Sequence, residues 1–179
     1  MKRVFEMYGL LCVVAGVIIA LDQWTKWIVR TTLPLGATWL PESLEWLSPY
    51  ARIVHWHNTG AAFGMFQNGS MIFAALAFVV IGAIIYYFPQ VEKHDWMLRL
   101  AMSMQLGGAS GNLIDRLLRD GRVTDFISVG SFPVFNIADA SISVGTVILL
   151  LGVYLQERAG KKEQASLGSS SQRSEAISE

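Results

Sequence analysis

Among the polar side chains of residues 106–142, a stretch that begins and ends in apolar runs, six stand out as candidates for chemistry. They are Asn112, Asp115, Arg116, Asp125, Asn136 and Asp139. Such side chains are costly at membrane depth and are retained there mostly where they have a function. Gly130 and Pro133 predict a turn between the last two carboxylates. A tight return of the chain would bring Asp125 and Asp139 together as a pair.

Two carboxylates held close together in a poorly solvated place do not both ionise easily, so the pair shares a proton. One member can take a proton from water while the other gives one to a substrate carbonyl, as in aspartic proteases. Asn136 is a predicted helix N-cap with Asp139 in the first turn, where the helix dipole favours a carboxylate. Asp139 is therefore the expected base.

Two other functions fit the same spacing. A proton-coupled transporter uses intramembrane Asp and Arg residues as a relay, and a non-catalytic scaffold uses polar residues to hold helices together. A transporter would spread its polar positions along a whole helix, whereas here they cluster at one end. No serine or cysteine has an adjacent histidine base, which disfavours acyl-enzyme chemistry. Spacing alone leaves an aspartyl hydrolase only slightly ahead of both rivals.

The composition is that of a membrane protein. Hydrophobic residues make up 53% of the 179 residues and charged residues only 16%, against about 25% charged in soluble domains. A net charge of zero gives no basic surface for nucleic acid. The single cysteine, Cys12, has no intrachain partner, and the three histidines lack zinc-site spacing. We expect no metal and no cofactor.

The apolar runs predict a mainly α membrane protein with four transmembrane helices in a single domain, residues 1–160. The predicted spans are residues 8–29, 70–88, 97–117 and 136–156, the first one uncleaved. A surface segment, residues 31–69, contains the alternating run Ala51–His57, which favours a strand. Residues 161–179 are polar and Ser-rich and are predicted to be a disordered tail.

Three further features each have a structural and a functional interpretation. Asp22 and Lys26 lie at i,i+4 on the first span, and a structural ion pair is favoured over direct catalysis. Asn58 opens the run NTGAAFG, which is either a plain turn or a close backbone approach to a ligand. Asp115 and Arg116 form either a local charge pair at a helix end or part of the functional site.

The distribution of basic residues predicts the orientation in the membrane. Lys2, Arg3, Lys93 and Arg99 would be cytoplasmic together with the basic residues of the tail, which places both termini inside and the aspartate pair at the outer face. The three arginines at 116, 119 and 122 lie on the opposite side and weaken this signal.

Five sequence blocks, in this order, resemble the bacterial lipoprotein signal peptidases (signal peptidase II). They are Asp22-Gln-Trp-Thr-Lys26, Asn58-Thr-Gly-Ala-Ala-Phe63, Gly111-Asn-Leu-Ile-Asp-Arg116, Gly121-Arg-Val-Thr-Asp-Phe126 and Phe132-Pro-Val-Phe-Asn-Ile-Ala-Asp139. The resemblance covers nearly the whole chain except the tail. Ser110 and Thr124 depart from it, since more apolar residues are usual there, but neither replaces a polar group of a block.

The resemblance implies a membrane-embedded aspartic endopeptidase that cuts diacylglyceryl-modified prolipoproteins just before the lipidated cysteine. It makes Asp125 and Asp139 the catalytic pair. It also implies a small extracytoplasmic β-sheet after the first span, and a place in the bacterial inner membrane with membrane lipids and lipidated prolipoproteins as partners. We expect the protein to be a monomer. The supporting site residues that the resemblance implies are Asn58, Asn112, Arg116, Asn136, Asp22 and Lys26.

Overall fold

The computed structural model describes residues 2–60 and 69–178, with side chains for 7–60, 69–158 and 161. Its helices are α1 (Lys2–Thr32), α2 (Ser70–Tyr87), α3 (Trp96–Leu118) and α4 (Ile137–Ser178). Its strands are β1 (Thr38–Trp39), β2 (Ala51–Asn58) and β3 (Val123–Val129), and short 3-10 helices cover Glu42–Leu47 and Phe88–Gln90. Residues 61–64 of the run that Asn58 opens lie outside the described residues.

Within the described residues, three helices are long and apolar enough to cross a membrane. They comprise Met7–Thr32, Ser70–Gln90 and Ile137–Arg158. The third predicted span matches α3, whose 23 residues make about 35 Å of helix, but α3 is less apolar than the others. Its polar residues are tolerated because α3 packs against α1, α2 and α4, so that they face protein rather than lipid.

Glycines on α3 allow this close packing. A Cβ at Gly108 would overlap the Ala138 carbonyl oxygen of α4, and one at Gly111 would lie 2.7 Å from an Asp22 carboxylate oxygen of α1. These glycines therefore let both neighbouring helices reach the α3 backbone.

The far end of the bundle, away from the sheet, is held by an arginine. Arg99 donates hydrogen bonds to the carbonyl oxygens of Val91 (3.0 Å) and Met7 (2.9 Å). Its guanidinium lies 4.2 Å from the ring centroid of Phe88, which is fully buried and packs with Leu11. This cluster joins α1 and α3 to the end of α2.

The three strands form an antiparallel sheet in the order β1-β2-β3. Strand β2 confirms the strand expected at 51–57, whereas β3 was expected only as part of a turn-rich connection. β2 carries a bulge: it has one more residue than β3 between the pairs Ile53–Ile127 and Trp56–Asp125. The turn after β3 is present, with Gly130 at a φ of +51°.

Helix α4 runs on to Ser178, through the segment that the sequence predicts as a disordered tail. The prediction rested on low apolar content, which limits burial but does not forbid helix. The segment contains no proline, and its Ala, Lys, Glu and Gln residues are good helix formers. The structure therefore differs from the prediction here.

We expect opposite effects from two glycine-to-alanine substitutions. Gly108→Ala should destabilise the protein by about 1–3 kcal/mol, because its methyl group overlaps α4. Gly82→Ala on α2, where nothing lies within 4 Å, should be neutral or stabilise by up to about 1 kcal/mol. Thermal unfolding in detergent measures both, and equal shifts in Tm would contradict the packing described here.

Candidate active site

The site is built on the amino terminus of α4. Asn136 Oδ1 accepts a hydrogen bond from the Asp139 N–H (3.0 Å), and Asp139 Oδ2 accepts one from the Asn136 N–H (3.2 Å). This reciprocal arrangement is a capping box, and it confirms the predicted N-cap. It also fixes the Asp139 carboxylate in the first turn of the helix, near the positive end of its dipole.

Asn136 also connects this carboxylate to the second one. Its Nδ2 donates to Asp125 Oδ1 at 2.7 Å, and the other oxygen of Asp125 accepts a hydrogen bond from Asn58 Nδ2 at 3.1 Å. Asp125 lies on β3, and both aspartates line one cavity of about 490 Å³. The structure therefore brings together the two carboxylates that the sequence pairs.

Burial strongly affects the ionisation of Asp125. Its side chain is 1% exposed, and desolvation followed by the nearby charge of Asp139 raises its pKa to about 7. The hydrogen bonds from Asn58 and Asn136 act in the opposite direction, because they favour the ionised form. The raised pKa lets Asp125 keep its proton at a pH where an exposed aspartate has already lost it.

Asn112 of α3 positions Asp139 from the other side. Its Nδ2 donates to Asp139 Oδ1 at 2.7 Å, and its Oδ1 accepts from Lys26 Nζ (2.9 Å) and Asn136 Nδ2 (3.1 Å). Lys26 Nζ and Asn136 Nδ2 can only donate hydrogen bonds, so the side-chain atom of Asn112 that they contact must be its oxygen. This fixes the orientation of the Asn112 amide. Lys26 thus contacts Asn112 rather than either aspartate of the pair, and its positive charge lowers the pKa of Asp125.

The first-span residues form a buried ion cluster with α3. Lys26 Nζ lies 2.8 Å from Asp22 Oδ2 and 3.4 Å from Asp115 Oδ2, and all three side chains are fully buried. This confirms the Asp22–Lys26 ion pair. Asp22 Oδ1 also accepts the Ala138 N–H at 3.0 Å, so α1 satisfies a donor in the first turn of α4.

Asp115 is a site-supporting residue that the sequence analysis left undecided. Besides Lys26, it accepts a hydrogen bond from the Thr124 N–H at 3.0 Å, and Arg30 and Arg119 lie 3.6 Å and 3.7 Å away. It holds β3 one residue before Asp125. In the sequence, its position three residues after Asn112 was the one sign that it belongs to the site. The structure pairs it with Lys26, Arg30 and Arg119 rather than with Arg116.

Arg116 lines the cavity beside both aspartates. Its guanidinium lies 5.6 Å from the Phe73 ring centroid, and Nη1 makes a long 3.5 Å contact with the Asn112 carbonyl oxygen. Its Nε is buried without a hydrogen-bond partner among the described residues. Aromatic and aliphatic side chains complete the lining, including Phe73 and Phe135, which no polar motif could have identified.

Among the described residues, no cluster of three or more His, Cys, Asp or Glu could hold a metal ion. The expectation that the site works without a metal is left to experiment. Carboxylates, amides, a lysine and an arginine are the groups that the site offers for chemistry.

Fold and site define a class of protein: a helical membrane protein in which two carboxylates, one of them buried, are hydrogen-bonded to the same asparagine where the helix bundle meets the sheet. The family model described as "Signal peptidase (SPase) II" (Peptidase_A8) matches residues 14–155. The chain belongs to the signal peptidase II family. It is a membrane peptidase, which removes the transporter and scaffold alternatives.

Relatives and solved structures agree with this assignment. The lipoprotein signal peptidase of Shouchella clausii is 41% identical over 151 residues, covering 84% of this chain and 96% of the relative. That of Staphylococcus aureus is 31% identical over 160 residues, covering 87% and 94%. A bacterial membrane enzyme solved by the in meso method at 2.3 Å superposes with a TM-score of 0.75 at 30% identity, covering 87% of this chain and 93% of that one.

The buried ion cluster predicts a large loss of stability on breaking it. Lys26→Met would leave Asp22 and Asp115 buried without their shared cation, so we expect unfolding to become easier by about 3–5 kcal/mol. Glu92→Gln, which removes an exposed pair with His94, is the control and should cost less than about 1 kcal/mol. Denaturation in detergent compares the two, and similar losses would contradict a structural role for the cluster.

Proposed function

We propose that this peptidase removes the signal peptide from diacylglyceryl-modified prolipoproteins, cutting just before the lipidated cysteine. Asp125 and Asp139 are its catalytic pair. The proposal rests on one observation, that Asn136 hydrogen-bonds to both carboxylates. Its side-chain amide donates to Asp125 and its backbone N–H donates to Asp139, and both aspartates line the same cavity. The substrate class is supported by the names of the relatives, lipoprotein signal peptidases.

In this mechanism Asp139 acts first as the base and Asp125 acts first as the acid. Asp139 has the helix amino terminus and two hydrogen-bond donors to stabilise a negative charge, whereas the buried Asp125 has a pKa of about 7. Asp139 takes a proton from a water molecule, whose oxygen attacks the carbonyl carbon of the scissile bond. Asp125 gives its proton to the carbonyl oxygen.

The tetrahedral intermediate collapses by the reverse transfers. Asp139 gives its proton to the leaving nitrogen of the lipidated cysteine, and Asp125 recovers a proton from a hydroxyl as the new carboxyl group forms. The products are a free amine and a carboxylic acid, and both aspartates return to their starting state. Arg116, with its free Nε, and Asn58 are placed on the cavity wall to donate hydrogen bonds to the substrate.

The aspartate pair lies at the outer face of the bacterial inner membrane in this proposal, with both termini in the cytoplasm and the protein acting as a monomer. A lipidated cysteine holds its scissile bond at the membrane surface, where the sheet and the ends of α3 and α4 meet. Each buried acyl CH₂ contributes about 0.8 kcal/mol, so two chains fix the depth of the bond. Exposed Trp39, Trp46 and Trp56 on the surface segment suit the interfacial region.

We expect Asp125→Asn and Asp139→Asn each to abolish cleavage of a lipidated precursor while the protein still folds. Asparagine preserves the shape of the side chain but cannot move the proton, so the loss is catalytic. Purified protein in lipid vesicles, at matched Tm, gives the measurement. Turnover near that of the unmodified enzyme in either variant would refute the catalytic pair.

The same assay tests the substrate class. A precursor without its diacylglyceryl group should be cut far more slowly than the lipidated form, because nothing holds its scissile bond beside the aspartates. Equal rates for the two precursors would show that lipid does not position the substrate, and would refute this part of the proposal.

The rate should fall above about pH 7, because Asp125 must be protonated and its pKa is about 7. Asn58→Ala removes a hydrogen bond that favours ionised Asp125, so that pKa should rise and the alkaline limb should move to higher pH. The pH profile of kcat/KM measures the shift. A limb that moves to lower pH would contradict the assignment of Asp125 as the acid.

A further inference from the structure

A second cavity extends from the aspartate pair down between α2 and α4. It has a volume of about 380 Å³ and is lined by side chains of α2, α3 and α4, and those of α2 are all apolar. Asn112, Arg116 and Asp139 line both cavities, so the two adjoin at the aspartate pair. The wall residues that belong to α2 are Phe73, Leu76, Ala77 and Val80.

One polar pair interrupts this apolar lining. Gln105 Nε2 donates to Thr146 Oγ1 across a long 3.4 Å contact, and the Thr146 hydroxyl donates to the Ile142 carbonyl oxygen of its own helix. In the part of the chain that the structure describes, the Gln105 side chain makes no other hydrogen bond. Its amide oxygen therefore lacks a donor at a depth where lipid offers none.

Gln105 is held in this position by α4. Gly145 leaves room for its stem, since a Cβ there would lie 3.3 Å from Gln105 Cγ. Gln105 precedes Asn112 by seven residues on α3, and Thr146 follows Asp139 by seven residues on α4. At 1.5 Å per residue, both place the polar pair about 10 Å below the aspartates.

We propose that this groove binds the signal-peptide residues before the scissile bond in extended form, and that Gln105 hydrogen-bonds their backbone. The inference rests on the proposed function. An acyl chain would use the apolar walls but has nothing to offer an amide. An unwound peptide in this largely apolar groove carries N–H and C=O groups that need partners, and Gln105 supplies one donor and one acceptor.

The geometry also selects the substrate residue. An extended chain rises about 3.3 Å per residue, so about 10 Å corresponds to the third residue before the cut. A helical chain rises 1.5 Å per residue and would place the seventh residue there. Gln105 is thus a positioning residue that holds the peptide while the aspartates act on it.

Steady-state cleavage of a lipidated precursor in vesicles tests the role of Gln105. Gln105→Leu should raise KM roughly three- to thirtyfold, the range for one hydrogen bond in a membrane, with kcat close to that of the unmodified enzyme. Val147→Leu, on an exposed face of α4, is the matched control and should leave both constants unchanged. An unchanged KM in Gln105→Leu, or an equal rise in Val147→Leu, would overturn the inference.

Disulfide crosslinking tests which residue of the bound signal peptide lies beside Thr146, and it does not depend on the Gln105 side chain. Thr146→Cys is made with Cys12→Ser, because Cys12 is exposed, and with Asp125→Asn to keep the precursor uncut. The lipidated cysteine of the precursor is blocked as a thioether, so a second cysteine is placed at the third or seventh residue before the cut. Crosslinking at the third residue supports an extended peptide, whereas crosslinking only at the seventh, or at neither, overturns it. If the unmodified enzyme fails to cleave the precursor at all, the proposed function has failed instead.

Discussion

The buried amino terminus of α4 is the constraint on which the rest of the site depends. A helix that starts inside a protein exposes N–H groups without partners and a positive dipole, and both must be satisfied there. Asp22 from α1 takes the Ala138 N–H, and Asn136 takes the Asp139 N–H. The carboxylate of Asp139 thus lies where the helix itself stabilises a negative charge.

The neighbouring elements are tied to this terminus by charge. Burying Asp22 requires a cation, and Lys26 supplies it one helical turn away. The same cation serves Asp115, which in turn holds β3 through the Thr124 N–H. The Lys26 ammonium group therefore connects α4, which carries Asp139, to β3, which carries Asp125. Breaking one partner of such a buried cluster leaves the others without compensation.

The sequence predicted the parts of the fold whose signal is local. Span α2 begins after Gly69 and ends before Pro89, so its bounds were close, and Asn136 and Asp139 carry the pattern of a capping box. Strand β3 was missed because Thr124 and Asp125 are both buried, which removes the alternation of polar and apolar residues that marks a strand with one solvated face. The site residues that local patterns leave out, such as Asp115 and Phe73, owe their position to contacts between distant segments.

The bulge in β2 indicates where this fold tolerates insertions and deletions. Successive side chains of β3 face opposite sides, so Asp125 lines the aspartate cavity while Phe126 lines an apolar cavity against α1. Deleting one residue of β3 ahead of Asp125 would exchange those two positions. The extra residue that β2 carries between Ile53 and Trp56 lies outside β3, so its loss would not change which side of the sheet Asp125 faces. Insertions and deletions among homologous chains should therefore accumulate in β2 and its flanking turns, while the length of β3 stays constant.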